Sequence, residues 1–169
     1  MIRALFSLFI LIVIFSSCKK DKEIEPEKAP YDSYILRNNK YYRLQNADLS
    51  FDKQDQQYTS TIWLTDREEN NSIQIDLLLL QGKALPAGTY RYKTLASNAL
   101  ELNRFHALSL QYGEKNAKEQ ISSFEDDIKE AFIEVKEMKD TYSIDGEFEY
   151  KGAITKVHYE GKVDFLEYW

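Results

Sequence analysis

From residue 58 onward the chain keeps returning to a two-residue beat, and this limits its fold more than any other feature. Tyr58, Ser60, Ile62 and Leu64 fall on one side of an extended segment, with Thr59, Thr61, Trp63 and Thr65 on the other. Ile73, Ile75, Leu77 and Leu79 line up in the next run, and the unbroken leucines at 77–80 predict an end covered on both sides. Tyr142, Ile144, Gly146, Phe148 and Tyr150 alternate with Ser143, Asp145, Glu147 and Glu149. Val157, Tyr159, Gly161, Val163 and Phe165 alternate in the same way with Lys156, His158, Glu160, Lys162 and Asp164. Successive side chains of a strand point to opposite faces, so such runs predict sheets with one face buried.

Shorter segments at 33–37, 41–51, 89–94, 104–112 and 131–137 carry the same signature, separated by turn chemistry such as "RNNK", "PAG", "YGE" and "KEMKD". Together these give about nine strands joined by short connections. The expectation is therefore an all-β domain, an antiparallel meander forming a β-sandwich or closed barrel. One stretch departs from it: at 116–130, Ile121, Phe124 and Ile128 fall on a helical stripe, which predicts a short helix or ordered loop.

The first thirty residues have another composition. Arg3 precedes Ala4 to Phe15, twelve residues in which only Ser7 is polar. A bilayer-crossing helix needs about 20 apolar residues, so this run reads as a secretory signal rather than a permanent span. It ends on Ser16-Ser17-Cys18, and Cys18 is the only cysteine of the 169 residues, so no internal disulfide can form. Residues 19–30, "KKDKEIEPEKAP", mix charges with Pro26 and Pro30 and hold a single large apolar side chain, Ile24. Such a segment cannot bury enough surface to fold, and extended it reaches about 40 Å.

"FSSC" at 15–18 resembles the lipobox of bacterial lipoproteins, and "CKKDKE" resembles the start of many small Bacteroidota-type lipoproteins. The resemblance implies cleavage before Cys18, a diacylglycerol thioether on its sulfur and an acylated amino group. Several acyl chains on one residue make attachment to a membrane effectively lasting. "LPAGTYRY" at 85–92 likewise resembles a turn-and-strand entry common in the β-rich domains of such lipoproteins. The expected organisation is a signal peptide at 1–17, a lipidated cysteine and charged linker at 18–30, and a β-domain at 31–169. The expected location is the outer membrane, at its periplasmic face or the cell surface.

Chemistry is harder to find. A net charge of −6, with lysines interspersed among acids, gives no basic face for phosphates, so nucleic acid is not an expected partner. Neither a nucleophile elbow nor an HExxH or EF-hand pattern is present, and no metal or cofactor is expected. Of the two histidines, His106 shares a face with Leu108, Leu110 and Tyr112 and is expected to be buried and hydrogen-bonded; His158, next to Glu160, is expected to be solvated. Glu147, Glu149 and Glu160 are the best placed acids for a carboxylate pair, although on solvent-facing strands such acids serve solubility.

Binding leaves one mark. Trp63 stands among Thr61 and Thr65 on what should be the polar face, where an indole can stack on a sugar ring or anchor a partner. The leading reading is thus a non-catalytic, membrane-anchored domain that acts by binding a glycan or another envelope protein through Trp63, Thr61 and Thr65. A lipocalin-like carrier of a small apolar ligand and a carboxylate-dependent hydrolase remain as alternatives. Oligomeric state is not legible in the chain.

Overall fold

The structure, a computed structural model, describes residues 28–54, 57–68, 70–79, 84–93, 104–114, 117–122 and 128–167. Within them the chain is all strand: β1 (Tyr34–Arg37), β2 (Lys40–Arg43), β3 (Asn46–Gln54), β4 (Gln57–Thr65), β5 (Ser72–Leu79), β6 (Gly88–Tyr92), β7 (Arg104–Glu114), β8 (Ala117–Ser122), β9 (Ile128–Met138), β10 (Thr141–Tyr150), β11 (Ala153–Gly161) and β12 (Asp164–Glu167). They form one sheet in the order β12-β3-β4-β5-β7-β6-β9-β10-β11-β1-β2, with β8 paired to the outer part of β7. The sheet is strongly curled into a half-barrel.

Two tight hairpins set the register at one end. Asn38 and Asn39 both take positive φ (49° and 59°), as do Lys151 and Gly152 (49° and 72°), the backbone that two-residue loops require to match strand twist. Asparagine and glycine tolerate that region best. The β10–β11 loop then fixes nine cross-strand pairs, from Tyr150↔Ala153 to Tyr142↔Gly161.

The ends of the sheet are tied by two strands that bend and continue. β2 passes into β3 through Leu44 and Gln45 alone, and β11 into β12 through Lys162 and Val163, although each pair sits at opposite ends of the strand order. Consecutive amides show the consequence: Leu44 N–H donates to the Ser33 carbonyl beside β1 (2.9 Å), and Gln45 N–H to the Thr65 carbonyl on β4 (2.7 Å). A strand that changes partners at a bend is how curled sheets turn corners. The core of the described residues is made of large side chains, among them Ile35, Leu49, Ile62, Leu64, Ile75, Leu108, Leu110 and Ile144, each at most 1% exposed.

The period-two reading holds for Ile62/Leu64, Ile73/Ile75/Leu77, Ile144/Phe148 and Val157/Tyr159, all buried. Other expectations are corrected. The sheet is mixed rather than a pure antiparallel meander, because β6 pairs β7 and β12 pairs β3 in parallel. No helix occupies 116–130 among the described residues: Ile121 lies on β8 opposite Leu110, and Ile128 opens β9 opposite Tyr150. The helical spacing of these residues arises from the inward positions of two separate strands; Phe124 lies outside the described residues. The covered end expected at 77–80 is described only as far as the side chain of Leu77, which is buried.

Candidate functional site

On β4, Ser60, Ile62 and Leu64 turn inward, and this forces Thr61, Trp63 and Thr65 onto the outer face. Trp63 is 39% exposed, while Thr61 and Thr65 are half-buried around it. The structure therefore brings the three sequence-predicted residues together on one surface.

Register builds the surroundings. Across five ladders runs the row Asp164, Asp48, Trp63, Gln74, Ser109 and Ser122. Beside it on β4, Thr61 stands between Ser50 and Asp76, and Thr65 between Asn46 and Ser72. These flanking positions carry short hydroxyls, planar amides and carboxylates, and no lysine or arginine. Asp76 is held in place: Thr61 Oγ1 donates to it at 2.9 Å and Gln74 Nε2 at 3.1 Å. Burial, and secondarily the neighbouring Asp164, raise the carboxyl of Asp48 above its ordinary value. An indole in the middle of such a face offers an apolar plane, and its neighbours offer acceptors and donors in fixed positions.

The other residues singled out in the sequence are scattered. Glu147 pairs with Lys156 at 3.5 Å, Glu149 stands opposite Ile154, and Glu160 lies at the far end of β11. His106 is 7% exposed with Nδ1 3.2 Å from the Lys93 carbonyl, buried and hydrogen-bonded as expected. It does not follow the alternation of Leu108 and Leu110, however. The β5–β7 register shifts here, Leu77 facing Phe105 and Asp76 facing Ala107, so that Phe105 takes the place next to Leu77 and His106 is the extra residue.

His158 departs from its expected solvated state. Its Nδ1 lies 2.6 Å from Asp145 Oδ1, and Asp145 Oδ2 accepts from Ser143 Oγ at 3.0 Å. Asp145, His158 and Tyr34 form one cross-strand row on β10, β11 and β1, with the Tyr34 and His158 rings 5.5 Å apart. Burial, then Tyr41 and Asp145, raise the Tyr34 hydroxyl above its usual range. A cleft of about 460 Å³ lies beside this row. The sequence placed both partners of the pair on polar faces, and counting back from the Lys151–Gly152 turn would have set them opposite each other. Ser143 is spent on the carboxylate and not on the imidazole, so the arrangement orients a histidine without supplying an attacking hydroxyl. Among the described residues no three His, Cys, Asp or Glu side chains gather to hold a metal ion.

Comparison with known proteins gives no match to a family, to a curated protein or to a solved structure.

Proposed function

We propose that this chain is a lipid-anchored envelope protein that acts without catalysis, its Trp63 face binding a neutral glycan. The observation that carries the reading is Trp63 itself: a large indole left exposed at the centre of a sheet face whose cross-strand neighbours are Asp48 and Gln74. A sugar ring has an apolar C–H face for the indole and a rim of hydroxyls for amides and carboxylates, and this surface presents both. Without basic side chains at these positions it favours uncharged sugars over phosphates or sulfates.

The anchor is Cys18, outside the described residues, and the reading rests there on the lipobox resemblance and on the charged linker that follows it. β1 begins at Tyr34, sixteen residues after Cys18, so the chain between them spans at most about 55 Å.

The test is isothermal titration calorimetry of the full chain with soluble neutral polysaccharides, with Trp63→Ala as the variant. Trp63→Ala should weaken binding about tenfold or more while leaving the urea midpoint unchanged. Undiminished binding by that variant sinks the glycan reading, and capture of an envelope protein through Trp63 instead of a sugar would replace it. For the anchor, Cys18→Ala should leave the membrane fraction; retention after a high-salt wash would refute lipidation.

A further inference from the structure

The cleft beside the Asp145–His158 pair is distinct from the Trp63 face, and its lining has a consistent chemistry. At about 460 Å³ it is of small-molecule size, roughly 300–1,000 Å³. Asp32, Glu160 and His158 line it together with the rings of Tyr31 and Tyr34.

The His158 ring is held by its partner: Nδ1 lies 2.6 Å from Asp145 Oδ1, which fixes the imidazole against β10. In the row Asp145, His158, Tyr34, the His158 and Tyr34 side chains both line the cleft. The Asp32 and Glu160 carboxylates are exposed and have no side-chain partner among the described residues. Tyr31 already acts as a π-acceptor, with the Arg43 guanidinium 5.9 Å from its ring centre. Two carboxylates and two tyrosine rings thus border one space in a chain of net charge −6. Two cations oppose it: the Arg43 guanidinium on the Tyr31 ring, and Lys28, whose exposed ammonium forms no ion pair with either carboxylate.

We propose that this cleft binds a primary ammonium group. Such a group carries three N–H donors for the Asp32 and Glu160 carboxylates, and its charge is attracted to the tyrosine rings. An amino sugar and the ethanolamine head of a lipid share that chemistry, and they differ in what surrounds the nitrogen.

The experiment is an NMR titration of the full chain in detergent, following the His158 ring and the amides of 31–34 and 158–160. The probes are glucosamine and ethanolamine, with N-acetylglucosamine and ethylene glycol as matched uncharged compounds. Saturable shifts with at least one amine and none with its uncharged counterpart support the site, and the tighter amine identifies the source. The double variant Asp32→Asn/Glu160→Gln alters only exposed side chains and should weaken amine binding by about tenfold or more. Lys28→Ala should tighten it, and Trp63→Ala should leave it unchanged, which separates this site from the glycan face. Equal shifts with the uncharged probes, undiminished binding by the double variant, or no saturable shift with either amine overturns the proposal.

Discussion

Arg37 ends β1 and is only 6% exposed. Its Nη1 donates to Thr155 Oγ1 at 2.7 Å and to the Ala153 carbonyl at 3.1 Å, its Nη2 donates to the Tyr150 carbonyl at 3.4 Å, and its Nε has no partner. Replacing it with methionine keeps much of the chain volume and removes the orphan N–H, a gain of about 1–3 kcal/mol. The same change strips three acceptors. The two carbonyls belong to the end of a hairpin where water can reach them, whereas Thr155 is 0% exposed and its hydroxyl is left unpaired in the core. At about 1–3 kcal/mol each, the unpaired Thr155 hydroxyl and the relieved Nε roughly cancel, and the net cost is the loss of the two charge-assisted bonds to the Ala153 and Tyr150 carbonyls, so Arg37→Met should cost about 2–4 kcal/mol. Thr155→Val alone should cost about 1.5–3 kcal/mol as a lost charge-assisted bond, yet in the Arg37→Met background it removes an orphan and should recover about 1–2 kcal/mol. Urea unfolding of the four proteins closes the cycle, and the coupling should be about 2.5–5 kcal/mol at constant m-value. A coupling below about 0.5 kcal/mol, or an Arg37→Met protein as stable as the parent, would refute the view that Arg37 secures β1 to the β10–β11 hairpin through Thr155.

Two further outcomes follow from packing and titration. A Cβ added at Gly146 would sit 3.2 Å from Ile133 Cγ2 and 3.7 Å from Val157 Cβ; Gly146→Ala should stay within about 0.5 kcal/mol of the parent, because reduced chain entropy in the unfolded state offsets the squeeze, whereas Gly146→Val should cost about 1–3 kcal/mol in urea unfolding. Tyr90 is buried, donates to the Pro86 carbonyl at 2.8 Å, and burial pushes its hydroxyl from 10.0 up to about 12. Between those pH values the unfolded chain has released the proton and the folded one retains it, so stability is fully present below pH 10 and falls as pH rises toward 12. Tyr90→Phe should show a shallower alkaline decline in unfolding midpoint; an identical pH profile would count against a buried hydroxyl.

What the sequence made legible was local. Alternation identified the inward residues of β4, β5, β10 and β11, since a strand with one buried face must repeat every two residues. The polar partners Asp145 and His158 were on the page as members of opposite runs, and only the Lys151–Gly152 turn was needed to pair them. The non-local pairings left no such trace. β6 lies between β7 and β9 because of contacts made across the sheet, and nothing in "GTYRY" announces a parallel neighbour. The bulge at His106 inserts one residue into β7 and breaks the parity on which the face assignment depended. The stripe of Ile121 and Ile128 fits a helix period as well as it fits two strands, and only their cross-strand partners separate the two.

The same bend that closes the fold also links the two outer surfaces. Gln45 bonds to Thr65, two residues along β4 from Trp63, and Leu44 bonds to Ser33. Ser33 Oγ in turn accepts from the Glu160 amide at 2.9 Å, at the edge of the cleft. Hydrogen bonds therefore run from the indole strand to the cleft through Thr65, Gln45–Leu44, Ser33 and Glu160, two of them between main chains and the last through the Ser33 hydroxyl. Because residues 30–33 lie beside this seam, the proposed tether would pull on the join of the curled sheet rather than on either face. Loosening Leu44–Gln45 would consequently disturb Thr65 and Glu160 together, whereas substitutions confined to Trp63 or to Asp32 and Glu160 leave the seam intact; this is why those side chains, and not the bend, are the ones that can separate the two proposed surfaces.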